Sequence, residues 1–200
     1  KENEEIKHNK PILNRALKRS VFTHALYFFK DEQGYIRLKI EKADGRKKAI
    51  TTFNTHNSAK QFLFKAVEEF NLCQKLTGLQ PSKTSCFNYS LKQCEGACIE
   101  EESALLYNKR VEQFIEKYSY KNKNMAIVDR GRDAGERSVV LIKDGVFAGY
   151  GYVNLNYQIT NTEVLESIIT PMENNRDTQH IIQSYLRKNK NLQIITLDGL

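Results

Sequence analysis

The early part of the chain is dominated by alternation. Over residues 35–41, Ile36, Leu38 and Ile40 interleave with Tyr35, Arg37, Lys39 and Glu41, the two-residue period of a strand with one apolar and one polar face. Residues 23–29 and 47–53 read as flanking strands, joined to the first through 30–34 and through Ala43-Asp44-Gly45. Asp-Gly between two alternating runs predicts a hairpin. The period then changes. Ala59, Phe62, Leu63, Ala66, Val67 and Phe70 recur at the spacing of a core-facing helical stripe, with Asn57 or Ser58 as the expected cap. Further on, Tyr107, Val111, Phe114, Ile115 and Tyr118 predict a helix over 100–118. After a polar joint at 121–124 come predicted strands at 125–128, 138–143 and 146–153, with a turn at Asp144-Gly145. Helices are expected at 163–169, stopped by Pro171, and at 174–189, and a last strand at 192–197. The pattern is α+β: an antiparallel three-stranded layer plus a helix, then a second small α+β domain.

One stretch has neither period. Residues 73–98 contain Gly78, Pro81 and a Ser-Lys-Thr-Ser run, and they hold all four cysteines: Cys73, Cys86, Cys94 and Cys98, spaced C-x12-C-x7-C-x3-C. A metal site, a pair of disulfides and ordinary buried thiols are the three readings. No apolar run is long enough to span a membrane or to serve as a signal-peptide core, so a reducing, cytoplasmic setting is the expectation and stable disulfides are disfavoured. A metal-ordered loop is preferred, since so polar a segment needs something to hold it. Iron–sulfur and four-cysteine zinc sites both suit thiolates. The x7 and x12 gaps do not resemble two paired zinc knuckles.

Charge adds a second feature. Residues 1–60 carry fourteen Lys and Arg against seven Asp and Glu, so the whole net charge of +7 lies there. A localised basic surface is the footprint of a polyanion binder. Arg15, Lys18, Arg19, Arg37, Lys39, Arg46, Lys47 and Lys48 are the candidate phosphate contacts. Residues 1–9 read as the end of a helix, with Glu2, Glu4 and Glu5 on it. A start without a cap suggests a chain cut from something longer. Near the other end, Arg130 and Arg132 around Gly131 read as turn residues, and His180 as a helix-surface or half-buried histidine rather than a catalyst. No nucleophile elbow or phosphate-cradling glycine loop is present.

Two segments resemble a known family. The run Cys86-Phe-Asn-Tyr-Ser-Leu-Lys-Gln-Cys94-Glu-Gly-Ala-Cys98, followed by Ile99-Glu-Glu-Glu102, is similar to the cysteine-rich region of UvrC, the nucleotide-excision-repair endonuclease. Glu2, Ile6-Lys7, Pro11 and Asn14 resemble the last helix and exit of a GIY-YIG nuclease domain. The GIY and YIG strands themselves are absent from this chain, as are a UvrB-binding hairpin and the second UvrC nuclease. The resemblance is therefore best to the C-terminal part of a bacterial DnaQ-like exonuclease–GIY-YIG–UvrC-like fusion protein.

The resemblance implies a division into 1–20, the tail end of a GIY-YIG domain; 21–72, a basic β-β-β-α module; 73–121, the cysteine-rich region and helix; and 122–200, an α+β domain of unknown role. It also implies Glu2 as a metal-binding carboxylate and Asn14 as its active-site support, with Mg²⁺ or Mn²⁺ in a complete nuclease module. Cys73, Cys86, Cys94 and Cys98 would ligate a [4Fe–4S] cluster, with Zn²⁺ as the alternative. DNA is the implied partner, with other repair or replication proteins beyond it. The isolated chain is expected to position DNA rather than to cleave it. An iron–sulfur redox sensor and a zinc-stabilised interaction module are the competing functions.

Overall fold

In a computed structural model, residues 8–9, 22–44, 46–119, 123–154, 162–189 and 192–197 are described. Glu2, Asn14, Arg15, Lys18 and Arg19 lie outside them. The chain divides into two compact units, Lys1–Gln113 and Phe114–Leu200.

The first unit holds a three-stranded antiparallel sheet of β1 (His24–Lys30), β2 (Ile36–Lys42) and β3 (Thr51–Phe53), in the order β2-β1-β3. The hairpin expected at Asp44-Gly45 does not form between paired strands. β3 pairs instead with β1, Leu26 opposite Thr51, and Ile50 N–H bonds to Leu26 C=O at 2.8 Å. The reason lies in β1, where Ala25, Leu26 and Tyr27 are successively buried. A strand covered on both faces takes the centre of the sheet, leaving β2 at an edge.

Helix α1 (His56–Glu69) buries Ala59, Leu63, Ala66 and Val67, the stripe expected from its period. Its cap is Thr55 rather than Asn57 or Ser58. Thr55 Oγ1 accepts from Ser58 N–H, and the Ser58 side chain accepts from Thr55 N–H in return, a reciprocal capping box. A four-residue helix α2 (Phe87–Ser90) and a 3-10 turn (Ala97–Ile99) interrupt the cysteine stretch.

Helix α3 runs over Ala104–Tyr118, four residues later than its expected start. Glu100 adopts a left-handed φ of 65°, and the Ser103 hydroxyl accepts from Leu106 N–H, which sets the first turn. Asn108 then clamps the β1–β2 connection, accepting from Ile36 N–H at 2.7 Å and donating to Gly34 C=O at 2.8 Å.

The second unit is a five-stranded antiparallel sheet of β4 (Met125–Arg130), β5 (Glu136–Lys143), β6 (Val146–Asn154), β7 (Ile169–Pro171) and β8 (Gln193–Thr196), in the order β7-β6-β5-β4-β8. Alternate residues of β4 serve opposite faces. Ala126 and Val128 pack with Leu165 of α4 (Thr162–Ile168), while Met125 and Ile127 pack with Ile182 of α5 (Arg176–Lys188). Two apolar clusters thus sandwich the sheet. β7 takes the place of the expected last helical residue, Ile169. On β6, a Cβ on Gly149 or Gly151 would meet the Thr170 or Ile168 carbonyl oxygen at 2.3 Å, so glycine admits this edge. His180 on α5 is buried. The expected 129–135 turn is shortened to 131–135, because Asp129 and Arg130 extend β4 and pair with Ser138 and Arg137 of β5. Arg132 lies in the turn, held to Glu136 through two guanidinium nitrogens and stacked 4.3 Å above the Tyr152 ring.

Candidate metal centre

The four thiols converge although their chain segments are irregular. After α1, the Phe70 N–H bonds Ala66 C=O and Asn71 turns left-handed at φ 50°. This delivers Leu72 and Cys73, both buried, into the interior. The turn that follows is closed by Thr77, whose N–H and hydroxyl both donate to Cys73 C=O, at 3.0 and 2.9 Å. It docks on the free edge of β2 through Leu38 N–H to Leu76 C=O, 3.0 Å. Gly78, at φ 71°, passes so close that a Cβ would lie 3.3 Å from Leu38 C=O.

The other three cysteines come from a second compact loop. Cys86 begins α2, and Gln80 Oε1 accepts from the neighbouring Phe87 N–H at 2.9 Å. Cys94 follows α2, and Gly96 turns the chain at φ 85° into the 3-10 turn that carries Cys98. A Cβ on Gly96 would meet Glu101 Cβ at 2.8 Å. Tyr89 closes the loop by donating to Glu101 at 2.7 Å. Lys75 ties the two loops together, donating to Thr84 C=O at 2.6 Å and reaching Cys98 C=O at 3.5 Å.

The four sulfurs lie within 4.8 Å of one another, with Cys73, Cys86 and Cys94 buried and Cys98 half-buried. None is disulfide-bonded. The thiol of Cys73 donates to Cys94, which holds Cys94 down to about 6 and pushes Cys73 well above the usual thiol range. Burial raises Cys86. Backbone N–H groups face the sulfurs as well: Leu76 acts on Cys73, Tyr89 on Cys86 and Gly96 on Cys94, and Cys86 N–H lies 3.3 Å from Cys98 Sγ. N–H donors stabilise a negatively charged sulfur far more than a neutral thiol. These N–H groups favour thiolates, the metal-binding form, although the bond to Cys94 together with burial keeps Cys73 protonated, and burial keeps Cys86 so, in the metal-free site.

A polar bracket backs the site, and its members carry no signal in the sequence pattern. Glu102 is 7% exposed and pairs with Arg110 through both guanidinium nitrogens, one at 2.8 Å. Arg110 also donates to Asn71 C=O at 3.1 Å and lies 5.7 Å from the Tyr107 ring. Tyr35 donates to Glu102 C=O at 2.5 Å. Burial raises the Tyr107 hydroxyl, with the charge of nearby Cys73 as the next cause.

The basic residues are placed less uniformly than the charge count implies. Arg37 and Lys39 share a face of β2, as alternation requires. Arg37 Nε lies 3.0 Å from Asp31 without hydrogen-bond alignment, and Lys39 pairs with Glu41 at 2.8 Å. Lys47 also reaches Glu41, at 3.2 Å, and Arg46 reaches Asp44 at 3.4 Å. Lys48 is exposed. Among the described residues, no helix is long and apolar enough to cross a membrane.

Residues 25–117 match the family described as UvrC/Cho excinuclease, middle domain. Two curated relatives, the proteins named excinuclease cho from Salmonella typhi and Salmonella typhimurium, are each 25% identical over 114 residues. That alignment covers 56% of this chain and 39% of each relative. No solved structure matches. The four cysteines lie inside the matched residues.

Proposed function

From this UvrC-like segment we propose that the chain is a DNA-binding, metal-containing accessory region of a DNA-repair nuclease, positioning DNA for a nuclease module elsewhere in the protein. The carrying observation is the convergence of four thiols within 4.8 Å inside the residues that match the UvrC/Cho middle domain. The relatives' name, excinuclease, supports DNA as the partner. The basic strand face of Arg37 and Lys39, with Arg46, Lys47 and Lys48 beside it, supports phosphate contact. Exposed ion pairs such as Lys39–Glu41 re-partner readily, so they do not remove these lysines from use. Glu2 and Asn14 remain candidates for the edge of a GIY-YIG site, and Arg15, Lys18 and Arg19 for further phosphate contacts. The isolated chain carries no catalytic activity; the full-length protein cleaves DNA with Mg²⁺ or Mn²⁺.

The metal is held by Cys73, Cys86, Cys94 and Cys98, and it supplies cross-links that a polar loop lacks. Two occupants suit four thiolates. The family resemblance implies a [4Fe–4S] cluster, whose four cysteine sulfurs each bind one iron from outside the iron–sulfide cube and so stand wider apart than sulfurs around a single ion. The separations here, none above 4.8 Å, lie nearer the edge of about 3.8 Å set by Zn–S bonds in a tetrahedral zinc site. Anaerobic purification decides between them. Brown protein with iron and sulfide supports the cluster; colourless protein with one zinc per chain supports the single ion. For the DNA role, a fluorescence titration with a short DNA duplex at low salt is expected to show binding that weakens steeply as salt rises. No binding at low salt would contradict the proposal.

A further inference from the structure

A groove of about 480 Å³ opens beside the edge strand β2. Arg37 and Lys39 line it from β2, His56 and Lys60 from the first turns of α1, and Lys75 from the loop after Cys73. No lining residue is acidic. Lys60 is exposed on α1, its ammonium 5.9 Å from the Phe64 ring, and Lys75 donates only to the Thr84 and Cys98 carbonyls. A concave surface lined by cations of one sign concentrates potential and suits an anion that reaches several of them at once. Neither Lys60 nor Lys75 is among the phosphate contacts expected from the sequence, because neither lies in a basic run.

One side of the groove is the cysteine loop itself, from Lys75 to Leu79 with Pro81. That side is fastened by ligand residues: Thr77 bonds Cys73 C=O, and Lys75 reaches Cys98 C=O. Its dock on β2 is the Leu38–Leu76 bond.

We propose that this groove seats the phosphodiester backbone of DNA, and that the metal centre sets its affinity by fixing the Lys75–Leu79 side. The inference rests on the DNA-binding reading above and adds its location and its dependence on the metal. Lys39 and Lys60 contact phosphates from two sides, and loss of the metal frees the third side to move.

The test is fluorescence anisotropy of a short labelled DNA duplex with metal-loaded protein, comparing Lys60→Glu with Lys65→Glu. Lys65 is exposed on the same helix but does not line the groove, so the two variants change net charge equally. Lys60→Glu is expected to weaken binding about tenfold and to lower the slope of log affinity against log salt by about one, against at most about twofold for Lys65→Glu. Metal content and circular dichroism of both variants check that each is folded. Wild-type protein stripped of metal is expected to bind about as weakly as Lys60→Glu.

Equal effects of the two substitutions would overturn the groove while leaving DNA binding intact. Unchanged affinity after stripping would overturn the link to the metal. Failure of the wild-type protein to bind the duplex would remove the DNA reading and the groove together.

Discussion

Residues 73–98 and the sheet of β4 to β8 lie in one chain but are ordered by different means. The cysteine stretch buries few apolar side chains besides its thiols, namely Leu76, Leu79 and Ala97, and it exposes Phe87 and Leu91. The sheet buries Ala126, Val128, Val139, Leu141 and Val153 on one face and Met125, Ile127, Ile142 and Phe147 on the other. At about 1.5–3 kcal/mol for each large apolar side chain fully buried, the sheet holds itself together by ordinary core packing. The loop does not, and its hydrogen bonds mostly join one part of itself to another. In the proposed metal centre, cross-links through the sulfurs supply what its apolar content omits. Order in a polar segment with four converging thiols thus fits a bound metal, whereas order in an apolar sheet needs nothing further.

That contrast can be broken most strongly by removing the metal. Chelation, or Cys86→Ser, is expected to abolish hydrogen-exchange protection at Leu76, Thr77 and Leu79 while leaving β4 to β6 protected; equal loss in both regions would erase the distinction. Acid is expected to act in the same way. In the metal-free site Cys73 and Cys86 are raised and hold protons at neutral pH, so metal binding must expel those protons and its affinity falls as pH falls. Cys94, near 6, adds a proton of its own only below that pH, where the loss steepens. Isothermal calorimetry in buffers of different ionisation enthalpy reads the proton release directly.

Next in size is Arg110→Ala, which leaves Glu102 as a buried charge without its partner. The expected cost is about 3–5 kcal/mol, measured by urea denaturation, with weaker metal retention because the bracket behind Cys73 opens. Leu165→Ala in the second unit is expected to cost about 3 kcal/mol with metal content unchanged, the converse result. The smallest effect belongs to Arg132→Ala. Its pair with Glu136 is exposed, and thermal melting is expected to show no resolvable change.

Much of this architecture was legible from the residue pattern. The strands at 24–30, 36–42, 125–130, 136–143 and 146–154 and the stripe of α1 follow from periods of two and 3.6. The order of the first sheet did not follow, because Asp44-Gly45 carries a local turn signal while strand pairing is decided by the burial of Ala25, Leu26 and Tyr27. β7 was hidden because three residues ending in proline carry no alternation. The convergence of the four cysteines was legible through clustering alone. Glu102, Arg110 and Tyr107 were not: the first belonged to an acidic run that reads as solvated, and the tyrosine to a helical stripe that reads as core. Lys60 and Lys75 were missed because a groove assembled from a helix, an edge strand and a loop has no signature in any one segment.

The central claim is that Cys73, Cys86, Cys94 and Cys98 together hold one metal centre. Elemental analysis of anaerobically purified protein, beside thiol titration under denaturing conditions, tests it most directly. The account predicts one zinc or one four-iron cluster per chain, lost on Cys94→Ser. Wild-type protein with no metal, and four thiols that react freely in the folded state, would contradict it.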